Sequence, residues 1–268
     1  MHQLYIHPVD DDDQNIPFIF LYSYCFFRYG FFTRPSVRKL FPSKTFGLIV
    51  LCFSLNSIAT TFTTQERICP IGGERFTEEV IMSYSVFGRR LDLKPQGTYG
   101  TAPVPLVVCP NGFVDFKKNY SEAEIISFTS LINSTSYQNS RSGNTDYYLF
   151  AKILEHAGAS KLRIGWTYLE ASWEAENKRR HKKYDRYLNL AIDNFNTAVD
   201  TGDREVGFKI RFLLVELNRL KGDFESAKLK LNELEANLTP VGYEKVVVDF
   251  EKKLIDGQNS KPQILPKR

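Results

Sequence analysis

The sequence predicts an α+β chain that is mostly α: a small β-rich, degenerate zinc-ribbon-like region followed by a tetratricopeptide-repeat-like (TPR-like) antiparallel helical array. Three observations carry this expectation. Two similar turns, Cys69-Pro70-Ile71-Gly72-Gly73-Glu74-Arg75-Phe76 and Cys109-Pro110-Asn111-Gly112-Phe113, bracket a stretch rich in β-formers. From Ser121 onward the apolar residues switch to helical spacing, punctuated by capping residues and glycines. The run Gly222-Asp223-Phe224-Glu225-Ser226-Ala227 has the form of the turn between two paired repeat helices.

Residues 1–59 read as a leader. Basic residues Arg34, Arg38, Lys39 and Lys44 precede the apolar segment Phe46 to Leu55, and Ser57-Ile58-Ala59 follows with small residues at both positions a signal peptidase reads. Basic, apolar for about ten residues, then small-x-small is the order of a secretory signal peptide, and cleavage is expected after Ala59. An anchor retained in the membrane through residues 46–62 is the competing reading, although Asn56 and several Thr and Ser interrupt it. The aspartate run Asp10 to Asp13 and the aromatic stretch Ile16 to Phe32 read as an upstream extension.

Residues 60–120 form the expected β-rich region. Val80, Ile81, Tyr84, Val86 and Phe87 lie within Glu78 to Leu93, Val104 to Val108 is a second apolar run, and Gly97, Gly100, Pro103 and Pro105 break the connection. These predict two to four short antiparallel strands. The Arg89-Arg90-Leu91-Asp92 cluster is expected to be solvated, a ligand contact being the alternative.

Each Cys-Pro turn looks like half of a metal knuckle. Tetrahedral zinc needs two Cys-x-x-Cys knuckles, yet Gly72 stands where a second cysteine belongs and Pro110-Asn111-Gly112 supplies none. No metal and no cofactor is expected. In an oxidising compartment the two remaining cysteines pair, so a Cys69–Cys109 disulfide closes the region; two buried free thiols are the alternative.

Residues 121–257 form the helical domain. Ser121-Glu122-Ala123-Glu124 is a capping box that starts a helix running to about Asn133. Asn133 to Asn144, rich in Ser, Asn and Gly, reads as a surface loop. Thr145 caps Asp146 to Ala157, Ser160 caps Lys161 to about Asn177, and Tyr184 to Val199, Arg204 to Lys221 and Phe224 to Leu238 follow. A last helix starts at Thr239-Pro240 and stops at Gly257, leaving 258–268 as a disordered tail. Trp166 and Trp173 share one face with Leu162 and Leu169, a core stripe. Ala191, Phe195 and Ala198 match the small, large, small positions of a second repeat helix, and Ala227, Leu231 and Leu234 repeat the offsets.

Taken together, Cys69 to Gly73, Cys109 to Phe113, Leu162 to Glu170 and Glu216 to Ala227 resemble the bacterial domain of unknown function family 2225, over about residues 66 to 238. The resemblance implies a CPxCG zinc-ribbon-like region in front of TPR-like helices, here lacking the second cysteine of each knuckle. It implies no reaction.

Chemistry-bearing motifs are sparse. His156 and His181 are the two histidines outside the leader, and no metalloprotease, nucleophile-elbow, Walker or dinucleotide motif occurs. The net charge of +4 does not argue for nucleic acid. Lys178 to Lys183 is the densest basic run, read as a solvated linker or, alternatively, a contact for an anionic partner. The expected function is therefore an exported, non-catalytic scaffold that binds a peptide or protein through its helices, with transient membrane contact through the leader. Lys209, Glu216 and Arg219 are expected to face the binding groove if Arg204 to Lys221 is a first repeat helix, ordinary exposed charges being the alternative. The alternative is an envelope hydrolase whose site would unite His156 or His181 with carboxylates.

Overall fold

A computed structural model describes residues 60–97, 102–200 and 202–267. The leader and most of the alternative anchor lie outside them. Among the described residues no helix is long and apolar enough to cross a membrane.

The chain is α+β and mostly α. Strands β1 (Thr61–Ile68) and β2 (Arg75–Ser83) form one antiparallel ribbon, β3 (Val86–Arg89) and β4 (Pro95–Gly97) a second, and β5 (Val107–Val108) and β6 (Val114–Asp115) a third. Turns at Cys69 and Cys109 connect the first and third ribbons. Strand β1 was not anticipated: its alternation of Thr, Gln and Glu with single apolar residues suits a two-sided, exposed ribbon and leaves little hydrophobic signal.

Among the described residues eight helices follow: α1 (Glu122–Asn133), α2 (Thr135–Arg141), α3 (Asp146–His156), α4 (Lys161–Asn177), α5 (His181–Thr197), α6 (Arg204–Leu220), α7 (Phe224–Asn237) and α8 (Tyr243–Asp256). Local chemistry sets their starts. The Ser121 hydroxyl accepts from the Glu124 amide while the Glu124 carboxylate accepts from the Ser121 amide at 2.8 Å. Ser134, Thr145, Ser160, Asp203 and Asp223 cap α2, α3, α4, α6 and α7 with their side chains. The expected surface loop after Asn133 is instead α2. Ser134 caps it, and Tyr137 is buried with its hydroxyl donating to the Gly112 carbonyl at 2.8 Å.

Helices α4 and α5 form an antiparallel hairpin, since Gly165 and Trp166 near the start of α4 meet Phe195 near the end of α5. Gly165 sits where it does because nothing larger fits. A Cβ built there falls 2.9 Å from two ring carbons of Phe195, itself fully buried. Gly165→Ala is therefore expected to destabilise by roughly 1 kcal/mol, overpacking outweighing alanine's better helix propensity. A rise in the urea midpoint of that variant would show slack in the hairpin.

Helices α6 and α7 reverse direction through Lys221-Gly222-Asp223. Gly222 takes φ +77°, its amide donating to the Arg219 carbonyl, and Asp223 starts α7 directly by accepting from the Ser226 amide at 3.0 Å.

One hydrophobic core joins the β region to the helices. Cys69, Ile71, Cys109, Phe113 and Val114 are buried in the same cluster as side chains of α1 to α6. The division expected at residue 120 thus separates secondary-structure types but not cores. A second cluster packs Leu91 with Phe208, Phe212 and Val215 of α6, Leu231 of α7 and Val248 of α8.

The tail was expected to be disordered, and this is corrected by its contacts. The Leu91 amide donates to the Gln263 carbonyl and the Leu265 amide to the Arg89 carbonyl, both at 2.9 Å, making an antiparallel bridge between Arg90 and Ile264. Leu265 packs on the second cluster. Tyr243 at the start of α8 donates to the Pro266 carbonyl at 2.7 Å. Backbone pairing and one apolar side chain order a segment whose composition carries no periodicity.

Candidate functional site

Each Cys-Pro turn is closed by backbone hydrogen bonds. The Cys69 amide donates to Glu74 and the Cys109 amide to Phe113, each at 2.8 Å, with Gly73 and Gly112 donating back to the respective cysteine carbonyls. Their two sulfurs are bonded to each other, with Cα atoms 5.6 Å apart, and both cysteines are buried.

Side chains crowd Gly72 and Gly112, the positions three residues after each cysteine. Asn111 donates to the Ile71 carbonyl and to Glu74 Oε2 at 3.1 Å, and its Oδ1 accepts from the Phe113 amide at 2.9 Å. A Cβ at Gly72 would meet the Glu74 and Asn111 side chains, and one at Gly112 would meet Arg141, whose guanidinium donates to the Pro110 carbonyl at 2.9 Å. Both glycines have positive φ, +101° and +90°. Among the described residues no group of three or more His, Cys, Asp or Glu is placed to hold a metal.

The Arg89-Arg90-Leu91-Asp92 cluster is not solvated. Arg90, Leu91, Asp92 and Lys94 are buried. Arg90 grips Asp92 with two hydrogen bonds of 2.6 and 3.0 Å and Glu176 of α4 with two of 2.8 Å. Lys94 donates to Glu176 and Asn177, both at 2.7 Å, and the Trp173 indole donates to Asp92 Oδ2 at 3.0 Å. Two cations face two anions, so the cluster is neutral. Burial pushes the Glu176 carboxyl up, but Arg90 and Lys94 override it and hold its pKa below the usual range. These bonds fasten the β3–β4 turn to the end of α4 and place Leu91 against α6.

Lys209, Glu216 and Arg219 all lie on α6, but not in an open groove. Lys209 is half-buried and pairs with Glu205 at 2.7 Å. Glu216 and Arg219 are fully buried, which corrects the expectation that they face solvent. Arg219 donates to Glu216 Oε2 at 2.6 and 2.8 Å, to Glu251 of α8 at 2.9 Å, and to the carbonyls of Asn259 and Lys261. What covers that face of α6 is the chain's own α8 and tail.

One arginine here meets two carboxylates. Burial above all, then the charge of Glu251, drives the Glu216 pKa well up; burial raises Glu251 too, with Arg219 opposing in both. Glu216 Oε1 and Glu251 Oε2 are buried with no hydrogen-bond partner. Burial thus favours the protonated form of these two carboxyls, which face a single guanidinium.

Sequence reasoning missed Glu251 and Leu265. Glu251 was legible, because Val247, Val248, Glu251 and Ile255 share one helical face and all four are buried. Leu265 belongs to a short segment flanked by prolines and gave no periodic signal.

His156 and His181 are both exposed. His156 Nε2 lies 2.8 Å from Ser127 Oγ, yet among the described residues no carboxylate bonds either imidazole. Half of the basic run is structural: Lys178 pairs with Glu174 at 2.6 Å, and Arg180 and Lys183 hold Gly143 and Asn144 ahead of α3.

Fold and geometry together define a mostly helical α+β protein with a disulfide joining its two Cys-Pro turns and a self-covered helical face. The chain belongs to a family described as "Uncharacterized protein conserved in bacteria (DUF2225)", whose model matches residues 62–249. No curated protein and no solved structure matches it.

Proposed function

We propose that this chain is an exported, non-catalytic interaction protein that holds an extended peptide, or such a segment of a protein, through TPR-like helical pairs. The observation that carries the reading is the mode of contact on α6 and the adjoining turn. There an extended segment is gripped through its backbone, by Arg219 on the carbonyls of Asn259 and Lys261 and by Arg89 and Leu91 on Leu265 and Gln263. Backbone capture by an exposed strand edge and a helical face is how peptide-binding modules work. The Gly165–Phe195 approach and the Gly222-Asp223 turn with fully buried Ala227 are the close-packing features that paired repeat helices need.

Export rests on the order of the leader and on the disulfide, a bond that persists in oxidising compartments. Sequencing the mature N-terminus tests it, with Thr60 as the expected first residue.

The interaction is tested with a photo-crosslinking residue at Lys209, and separately at Val246 on α8, in cells that express the chain. A discrete adduct heavier than the monomer is expected at one or both positions. Monomer alone at both would overturn the reading.

A further inference from the structure

From these contacts we infer that residues 258–267 are a resident, exchangeable occupant of the peptide site, so that an extended peptide from another chain binds by displacing the tail. The inference rests on the peptide-binding reading above and adds its regulation.

Three features of the tail set it apart from the rest of the fold. First, it is held almost wholly by backbone. The contacts run from Arg219 to Asn259 and Lys261, from Leu91 to Gln263, from Leu265 to Arg89, and from Tyr243 to Pro266. A site that reads backbone accepts any chain able to extend there. Second, none of its side chains is fully buried. Leu265 is the apolar residue packed on the core cluster, and it is only half-buried, while Ile264 is 62% exposed. Third, its pairing is a single bridge, with Pro262 and Pro266 bracketing the bonded residues. Proline donates no amide and is confined to strand ends and edges. The tail is thus a poor strand on a competent edge.

The receiving surface is built more firmly than its occupant. Leu91 is fully buried, Arg90 and Asp92 on either side are locked to Glu176 and Trp173, and Arg219 is fixed by Glu216 and Glu251. With the tail gone, the Leu91 amide, the Arg89 carbonyl and one edge of the Arg219 guanidinium remain oriented. Buried polar groups left in this way favour rapid recapture of a strand. The partner this chemistry fits is an extended segment without proline, carrying an aliphatic side chain at the position Leu265 now takes. It would extend the ladder where the tail stops. The family match ends at residue 249, before the tail begins.

The probe is a fluorescein-labelled synthetic peptide with the sequence of residues 258–267, added to the full chain and to the full-length variant Leu265→Asp, which weakens the resident tail. The variant is expected to bind the peptide at least tenfold more tightly than the unaltered chain, and a probe carrying the same Leu-to-Asp change is expected not to bind. Equal affinity for the two proteins, or no binding to a variant whose circular dichroism and melting match the unaltered chain, overturns the inference. Should the variant misfold, hydrogen exchange on the unaltered chain decides. The Leu265 and Leu91 amides are expected to exchange at least tenfold faster than the amides of α6, and exchange in step with α6 overturns it. A cross-linked partner without peptide binding would leave the interaction reading standing and remove the exchangeable tail; peptide binding without a partner would do the reverse.

Discussion

Arg219→Leu is expected to lower folding stability by at least about 3 kcal/mol, the range found when one member of a buried ion pair is removed. Arg219 is 0% exposed and satisfies Glu216, Glu251 and two tail carbonyls at once. Leucine restores apolar volume, but it leaves the Glu216 and Glu251 carboxylates buried without their partner, and an unmet buried acceptor costs on the order of 1–3 kcal/mol. The loss of partners outweighs the gain in hydrophobicity. Urea denaturation of the single variant gives the number, and a loss below about 1 kcal/mol would contradict the buried geometry. Replacing all three residues together, as Glu216→Leu, Arg219→Leu and Glu251→Met, is expected to recover most of the loss, since apolar replacement of a whole buried charge cluster is often neutral or better.

The same cluster sets a pH dependence. Burial raises the Glu216 and Glu251 carboxyls above 4.5, their value in the unfolded chain, and the charge of Glu251 raises Glu216 further. A raised carboxyl stays protonated in the fold while the unfolded chain has already released its proton. Its contribution is therefore complete below about pH 4.5 and declines as pH climbs toward the folded value. Glu170 on α4, raised by burial to about 8, acts with the same sign. Glu251→Gln removes one of these titrating carboxyls and keeps a neutral side chain of the same shape. Its urea midpoint should fall less than that of the unaltered chain between about pH 5 and about pH 8, and the slope that remains should flatten further in Glu170→Gln. Parallel slopes in all three proteins would place the titrating group elsewhere.

Most of the helical half was legible because α1, α3, α4, α6 and α7 announce themselves locally. Capping side chains at Ser121, Thr145, Ser160, Asp203 and Asp223 and the reversal at Gly222 act within a few residues, so sequence spacing is enough to find them. The paired cysteines were legible for a related reason: two sulfurs without metal partners leave few options. What stayed hidden depends on contacts between distant parts of the chain. Arg90 and Asp92 read as surface charges until Glu176 and Trp173, more than eighty residues away, close around them. Arg219 and Glu216 fall on α6 where an open array would show them to solvent, and α8 with the tail covers that face. Helix α2 was obscured by its Ser and Asn content and by Gly143 just beyond its end. It is held by Tyr137 reaching Gly112 and Arg141 reaching Pro110, contacts that the turn at Cys109 supplies. Local rules found the elements, and the burial of charge between them had to be seen.

Reduction of the Cys69–Cys109 bond is expected to lower stability by about 4 kcal/mol, because it frees a loop spanning 40 residues in the unfolded chain. The folded state should change little, since both cysteines are already buried among Ile71, Phe113 and Val114 and a thiol packs as a small hydrophobe. For a chain of this size the melting midpoint should drop on the order of 10 °C, read by circular dichroism with and without reductant. Cys69→Ala paired with Cys109→Ala should reproduce the drop without reductant, which separates the bond from effects of the reagent elsewhere. Zinc distinguishes a lost cage from a masked one. The third and fourth corners of a tetrahedral site are occupied here by the Asn111–Glu74 contact beside Gly72 and by Arg141 over Gly112. The reduced protein should therefore melt at the same temperature with and without an equimolar addition of the metal. Recovery of the lost stability by zinc would mean that other side chains move in to complete the site, and that the turns remain metal knuckles which oxidation has closed.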